Sequence, residues 1–92
     1  MQPTIYNNEK EQQFEMETEG EKAFLEYRYL RNDIALMHTF VPESLNGKGL
    51  ASALAQYALE WVKSHNKKAK VYCPFVAAYL KRHPEYNNLV LP

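Results

Sequence analysis

The period of the apolar residues changes once along this chain, at Pro42, and that change constrains the fold more than any other feature. Before it, hydrophobic and polar residues alternate. Gln13-Phe14-Glu15-Met16-Glu17 has the period of two expected of a half-buried strand. In a second run, Ala23 to Leu30, the residues Ala23, Leu25, Tyr27 and Tyr29 share one face, with Glu26 and Arg28 on the other. Ile34 to Val41 is apolar on both faces, Ile34, Leu36 and Phe40 on one and Ala35, Met37 and Val41 on the other, as in a strand covered on both sides. Glu19-Gly20 and Arg31-Asn32-Asp33 supply the turns. A three-strand antiparallel meander is expected.

After Pro42 the spacing is helical. Leu50, Leu54, Tyr57, Ala58 and Trp61 form one stripe between Gly49 and Ser64, with Gln56, Glu60 and Lys63 on the solvent side. Lys67 and Lys68 follow at the end of this helix, where its dipole favours cations. Ala69 to Cys73 reads as a short strand, and Pro74 opens a second helix that stops near His83, before Pro84. The order βββ-α-β-α defines an α+β domain with a mixed, mostly antiparallel sheet. Its β-α-β portion should be a right-handed crossover between parallel strands. The 92 residues contain no repeat, low-complexity tract or linker, so residues 1–92 are expected to form one domain with a thin stability margin.

Composition excludes several classes of function. Lysine plus arginine total 11, as do aspartate plus glutamate, and this balance argues against nucleic acid as a partner. The apolar runs are only a few residues long, so no membrane span is expected. The stretch from Met1 to Asn8 lacks the basic and apolar regions of a signal peptide. A single cysteine, Cys73, cannot form an internal disulfide and fits a reducing compartment, which points to the cytoplasm. Three histidines and one cysteine at these spacings make no zinc set, and no metal is expected.

Two segments carry chemistry. The stretch Val41-Pro42-Glu43-Ser44-Leu45-Asn46-Gly47-Lys48-Gly49-Leu50-Ala51 leaves a strand, passes two glycines and enters a helix. Glycines let backbone N–H groups approach a ligand, and a first helical turn has unpaired donors at the positive end of its dipole, which suits a pyrophosphate. The segment is neither a Walker A loop nor a dinucleotide-binding fingerprint. Its alternative reading is a tight bend that binds nothing. Cys73 ends a strand directly before a helix opened by Pro74, a setting that favours the thiolate. The alternative for a lone cysteine is a buried hydrophobe.

His38 shares a strand face with Leu36 and Phe40, as a core histidine would. Tyr72, Tyr79, Tyr86 and Trp61 read as core and rim aromatics, and Lys67, Lys68 and Lys70 as a small solvated cluster that is also able to attract a phosphorylated ligand. If the two strands are parallel, the glycine turn and Cys73 flank one cleft at the C-terminal edge of the sheet, where such sheets bind ligands. A phosphate-tailed molecule with a reactive acyl end suits that cleft.

These residues resemble a known family. Asn46-Gly47-Lys48-Gly49-Leu50-Ala51 is similar to the Q/R-x-x-G-x-G/A loop of the Gcn5-related N-acetyltransferases (GNAT). Glu26-Tyr27-Arg28, His38-Thr39-Phe40-Val41-Pro42 and Cys73-Pro74-Phe75-Val76, followed by Tyr79 and His83-Pro84, resemble in order the minimal single-domain branch of that superfamily, from about Phe14 to Tyr86. The resemblance implies a minimal GNAT-like fold that binds acetyl-CoA between two splayed parallel strands. It implies that the backbone of Thr39, Phe40 and Val41 pairs with the pantetheine arm, and that the turn Asn46, Gly47, Lys48, Gly49, Leu50 and Ala51 holds the pyrophosphate. By the same resemblance Cys73 is the catalytic residue near the thioester, and Tyr79 lies on the helix whose tyrosine protonates the departing CoA in larger relatives. Two departures stand out: Asn46 replaces the usual glutamine or arginine, and the chain lacks the elements that shape an acceptor pocket in larger relatives.

The expected function is transfer of an acetyl group from acetyl-CoA to an unidentified acceptor, an amine by analogy, by a monomer or weak dimer. Direct attack by the amine and transfer through Cys73 both remain open. The alternative is a CoA-binding or protein-interaction module without catalysis on the same fold.

Overall fold

A computed structural model describes residues 4–92; Met1 to Pro3, the start of the stretch read for a signal peptide, lie outside the described residues. The meander has one strand more than the alternation predicts. Strands β1 (Ile5–Asn8), β2 (Gln13–Thr18), β3 (Glu21–Leu30) and β4 (Asp33–Phe40) pair antiparallel in chain order, and β5 (Ala69–Val71) pairs parallel with β4. The sequence Ile5-Tyr6-Asn7-Asn8 shows too little alternation to announce β1, which is placed by pairing Ile5 with Met16 and Asn8 with Gln13. Glu19 and Gly20 both have positive φ, 54° and 75°, the backbone that keeps a two-residue hairpin in step with strand twist.

The two helices form where the spacing places them. Helix α1 (Leu50–Ser64) packs its stripe on β2, β3 and β4, and α2 (Pro74–Arg82) packs on β4, β5 and α1. Both cover the same face of the sheet. Phe14 is at the centre of this layer, its ring 4.8 Å from Tyr27, 5.6 Å from Tyr57 and 5.7 Å from Trp61 between centroids. Such tilted and edge-on pairs add to plain burial. The end of the chain packs as well. A 3-10 segment, Pro84–Leu89, lies against both helices, and the N–H of Leu91 donates to the carbonyl of Ala69 at 2.8 Å on the free edge of β5.

The other face of the sheet carries no helix among the described residues. The expectation that β4 is covered on both sides is therefore corrected: Met37 is 36% and Phe40 45% exposed. One carboxylate is nonetheless fully buried on that face. Glu15 accepts hydrogen bonds from Tyr6 at 2.8 Å, Asn8 at 3.1 Å and Gln13 at 2.5 Å, with Lys22 3.4 Å away. Burial pushes its carboxyl up, but the three hydrogen bonds and the lysine outweigh burial and hold it below its ordinary range.

A bulge in β4 decides which residues meet the ligand edge. Tyr27 stands opposite Leu36, yet Glu26 stands opposite His38, so Met37 is an extra residue on β4. The alternation shifts there. Ile34 and Leu36 face the helices and are fully buried, but Phe40 and His38 turn to the open face, where both pack beside Phe24, at 5.5 Å and 6.4 Å between ring centroids. The expectation that Phe40 and His38 share a face with Leu36 is corrected accordingly, and His38 is exposed rather than in the core.

Candidate functional site

The turn between β4 and α1 is built so that its amides are left over. Pro42 and a 3-10 turn, Glu43–Leu45, consume the first donors: Leu45 N–H reaches the Pro42 carbonyl at 2.9 Å and Asn46 N–H that of Glu43 at 3.1 Å. Gly47 and Gly49 then take positive φ, 82° and 75°. Among the described residues nothing lies within 4 Å of where a Cβ would stand at either position, so it is backbone conformation that favours glycine there. From Gly47 to Ser52 the backbone N–H groups find no acceptor among the described residues. The first turn of α1 has no acidic side chain and no side-chain cap, and its dipole adds positive potential to these donors.

A cavity of about 320 Å³ lies between this turn and α2. Val41, Asn46, Gly47, Gly49, Leu50 and Ala51 line it, so the structure brings together most of the residues expected to bind cofactor. Ser52, Phe75 and Arg82 line it too and were missed by the sequence reading. Phe75 and Arg82 are seven residues apart on α2, hence on one helical face. That spacing is visible in the sequence, but nothing there shows that this face meets the glycine turn.

Two residues back from Val41 and from Phe75, which line the cavity, Thr39 meets Cys73. Thr39 Oγ1 and Cys73 Sγ are 3.1 Å apart, and the thiol is 2% exposed. The bulge is the cause, because it turns Thr39 rather than Phe40 toward the helices. Cys73 is the N-cap of α2, extended at φ −76° and ψ 121° as a residue before proline must be. Strand β5 ends at Val71, two residues short of the expected strand end. The N–H groups of Tyr72 and Cys73 both donate to the Leu36 carbonyl, at 3.0 and 3.1 Å. Beyond Leu36 no backbone hydrogen bond joins β4 to the segment after β5 among the described residues, whereas pairing with β3 continues to Phe40. The two parallel strands thus part, leaving one edge of Met37–Phe40 without a backbone partner.

Five expected site residues do not line this cavity: Thr39 and Cys73, which meet behind it, and Lys48, Phe40 and Tyr79. The Lys48 amine is turned away, 2.5 Å from a Glu19 carboxylate oxygen. Phe40 is on the open face. Tyr79 is buried, its ring stacked on His83 at 4.2 Å, and its hydroxyl makes no hydrogen bond among the described residues. Burial, helped by the charges of Glu85 and Glu60, raises its pKa, so it is protonated at neutral pH.

Comparison with known proteins agrees with this geometry. The sequence profile of the family described as GCN5-related N-acetyl-transferase matches residues 13–89. The chain belongs to that family. It is 32% identical over 92 residues to Protein NATD1 of Danio rerio, covering 95% of this chain and 84% of that protein. It is 34% identical over 83 residues to Protein NATD1 of Gallus gallus, covering 87% and 76%. In three dimensions it resembles a GCN5-like protein of Staphylococcus aureus solved by NMR, with a TM-score of 0.73 and 26% identity, covering 96% of this chain and 87% of that one. The fold is that of the GNAT superfamily, and the family supports a role in acetyl transfer.

Proposed function

We propose that this protein binds acetyl-CoA along the cleft between β4 and α2 and transfers its acetyl group to an acceptor. The observation that carries this reading is the run of unpartnered N–H groups from Gly47 to Ser52 on the wall of the cavity. These residues fit a diphosphate, which needs several convergent donors and no nearby carboxylate. Asn46 adds a side-chain amide at the position where the family pattern has glutamine or arginine. The free edge of β4 from Met37 to Phe40 suits the amides of a pantetheine arm, and an arm running inward from the turn leads to Thr39 and Cys73.

Two chemical routes fit these residues. In direct transfer, a backbone N–H near the bulge stabilises the developing oxyanion while an acceptor amine attacks, and Tyr79 donates a proton to the leaving sulfur. In covalent transfer, the Cys73 thiolate takes the acetyl group, one thioester replacing another, and an amine then removes it. Thr39 serves either route by fixing the thiol. The contact of the thiol with Thr39, beside the free edge of β4, is the observation that speaks for the covalent one.

The test is a titration of the purified protein with acetyl-CoA, followed by intact mass. Binding with a gain of about 42 Da, one acetyl group, that Cys73→Ala abolishes is the expected result. Binding without a gain and with release of CoA to an amine supports direct transfer instead. Binding with acetyl-CoA left intact by every amine means a binding module. No binding overturns the reading of the glycine turn.

A further inference from the structure

We propose that Arg82 binds a phosphoryl group of the CoA tail and thereby selects the cofactor; this rests on the acetyl-CoA reading above. Among the described residues that line the cavity, Arg82 is the one cation, and none is a carboxylate. Arg82 makes no ion pair and no side-chain hydrogen bond among the described residues. Lys48 is held by Glu19, and Lys67, Lys68 and Lys70 donate to the carbonyls of Asn32, Asn88 and Pro92. The lysine cluster noticed in the sequence is therefore tied down in other contacts, and the free positive charge at the cleft comes from α2.

The end of α2 does not by itself account for Arg82. Lys81 stands in the same last turn and satisfies the helix dipole equally well, but it does not line the cavity. Phe75, on the same face two turns earlier, is 52% exposed and offers an apolar surface to the less charged part of the same ligand. A guanidinium opposite a wall of amides has the chemistry for a phosphate, since its planar fork pairs two oxygens at once. CoA carries two such sources, the diphosphate and the monoester at the ribose 3′ position. The amides from Gly47 to Ser52 already suit the diphosphate, which leaves the monoester as the group Arg82 would read.

The experiment is a set of calorimetric titrations of the full chain with CoA and with dephospho-CoA, using wild type, Arg82→Gln, Arg82→Lys and Lys81→Gln. Loss of about 10- to 100-fold in CoA affinity is expected for Arg82→Gln, the range for hydrogen bonds to a charged group. Partial recovery is expected in Arg82→Lys, and wild-type affinity in Lys81→Gln. If dephospho-CoA binds Arg82→Gln and wild type alike, the arginine reads the 3′ phosphate. If both ligands lose equally, it contacts the diphosphate, and the proposal stands with that source. Unchanged CoA affinity in Arg82→Gln, or an equal loss in Lys81→Gln, overturns it. Failure of wild type to bind CoA would instead overturn the acetyl-CoA reading. Thermal unfolding of each variant confirms folding, which Arg82 is not expected to affect because it has no polar partner among the described residues.

Discussion

The hydroxyl of Thr39 and the thiol of Cys73 lie 3.1 Å apart, on two segments 34 residues apart in sequence. The contact exists because β4 and β5 part after Leu36 and because the bulge at Met37 turns Thr39 inward. A hydroxyl in that place donates more strongly to negative charge developing on sulfur than it accepts from the weak S–H donor, so it assists a step in which the sulfur attacks. Thr39→Val is therefore expected to slow alkylation of Cys73 by iodoacetamide at neutral pH by about tenfold, with Thr39→Ser restoring the rate. Equal rates in all three proteins would reduce the contact to packing.

Gly49→Val tests the turn. With open space around the missing Cβ, the cost is that of a left-handed backbone, roughly 1–2 kcal/mol for an L-residue and more for a β-branched one. Relief of that strain rotates the amides that follow. The variant should melt lower and bind acetyl-CoA more weakly, whereas unaltered affinity would detach the turn from the ligand.

Lys48→Gln separates the amine from the backbone of the same turn. Its partner Glu19 is exposed, and such surface pairs contribute no more than about 1 kcal/mol. Stability and acetyl-CoA affinity should both remain near wild type in unfolding and titration experiments. A large loss of affinity would show that the amine leaves Glu19 to reach the ligand.

Tyr79→Phe addresses proton transfer. Because burial holds its hydroxyl protonated, Tyr79 can act as a donor and not as a base at neutral pH. Removing the hydroxyl should leave acetyl-CoA binding intact and lower turnover by about a hundredfold. Full turnover in the variant would confine Tyr79 to its stack with His83.

Glu15 governs the acid side of the stability profile. Its folded carboxyl titrates below its ordinary 4.5, so its contribution is complete above that pH and is lost as pH falls through the folded value. Glu15→Gln should destabilise by about 1–3 kcal/mol at pH 7, because it leaves buried donors facing an amide. In urea unfolding the gap between variant and wild type should narrow below about pH 4. A gap that stays constant with pH would mean that the charge is immaterial. Tyr6, whose hydroxyl donates to the same carboxylate, is pushed up to about 12 by that bond, so its share is lost only in strong alkali.

Much of this was visible in the sequence, for physical reasons. The stripe from Leu50 to Trp61, the proline that opens α2 and the glycines of the turn each express a local rule, and each is found where that rule puts it. The strand Ile5–Asn8 was not visible, because four residues with two asparagines become a strand only by pairing with Gln13–Met16. The bulge was invisible too, since an extra residue in an apolar run leaves no mark on composition. Arg82 was missed for a third reason: its significance depends on which helix face meets the turn, a tertiary fact. Direction is the other thing a sequence does not carry: Lys48 and Phe40 lie in the expected segment, but their side chains turn away from the cavity.

The extra residue in β4 has one more consequence: it resets the parity of the strand. Even-numbered residues, Ile34 and Leu36, face the helices before Met37, and odd-numbered ones, Thr39 and Val41, do so after it. One strand thus belongs to the hydrophobic core over its first half and to the cleft over its second, while its pairing with β3 continues throughout. A chain that lost Met37 would keep every atom of the glycine turn yet present Phe40 to Cys73 and Thr39 to solvent. A phenyl ring would then stand where the thiol now has a hydroxyl, so a single count along one strand sets the chemistry around the sulfur.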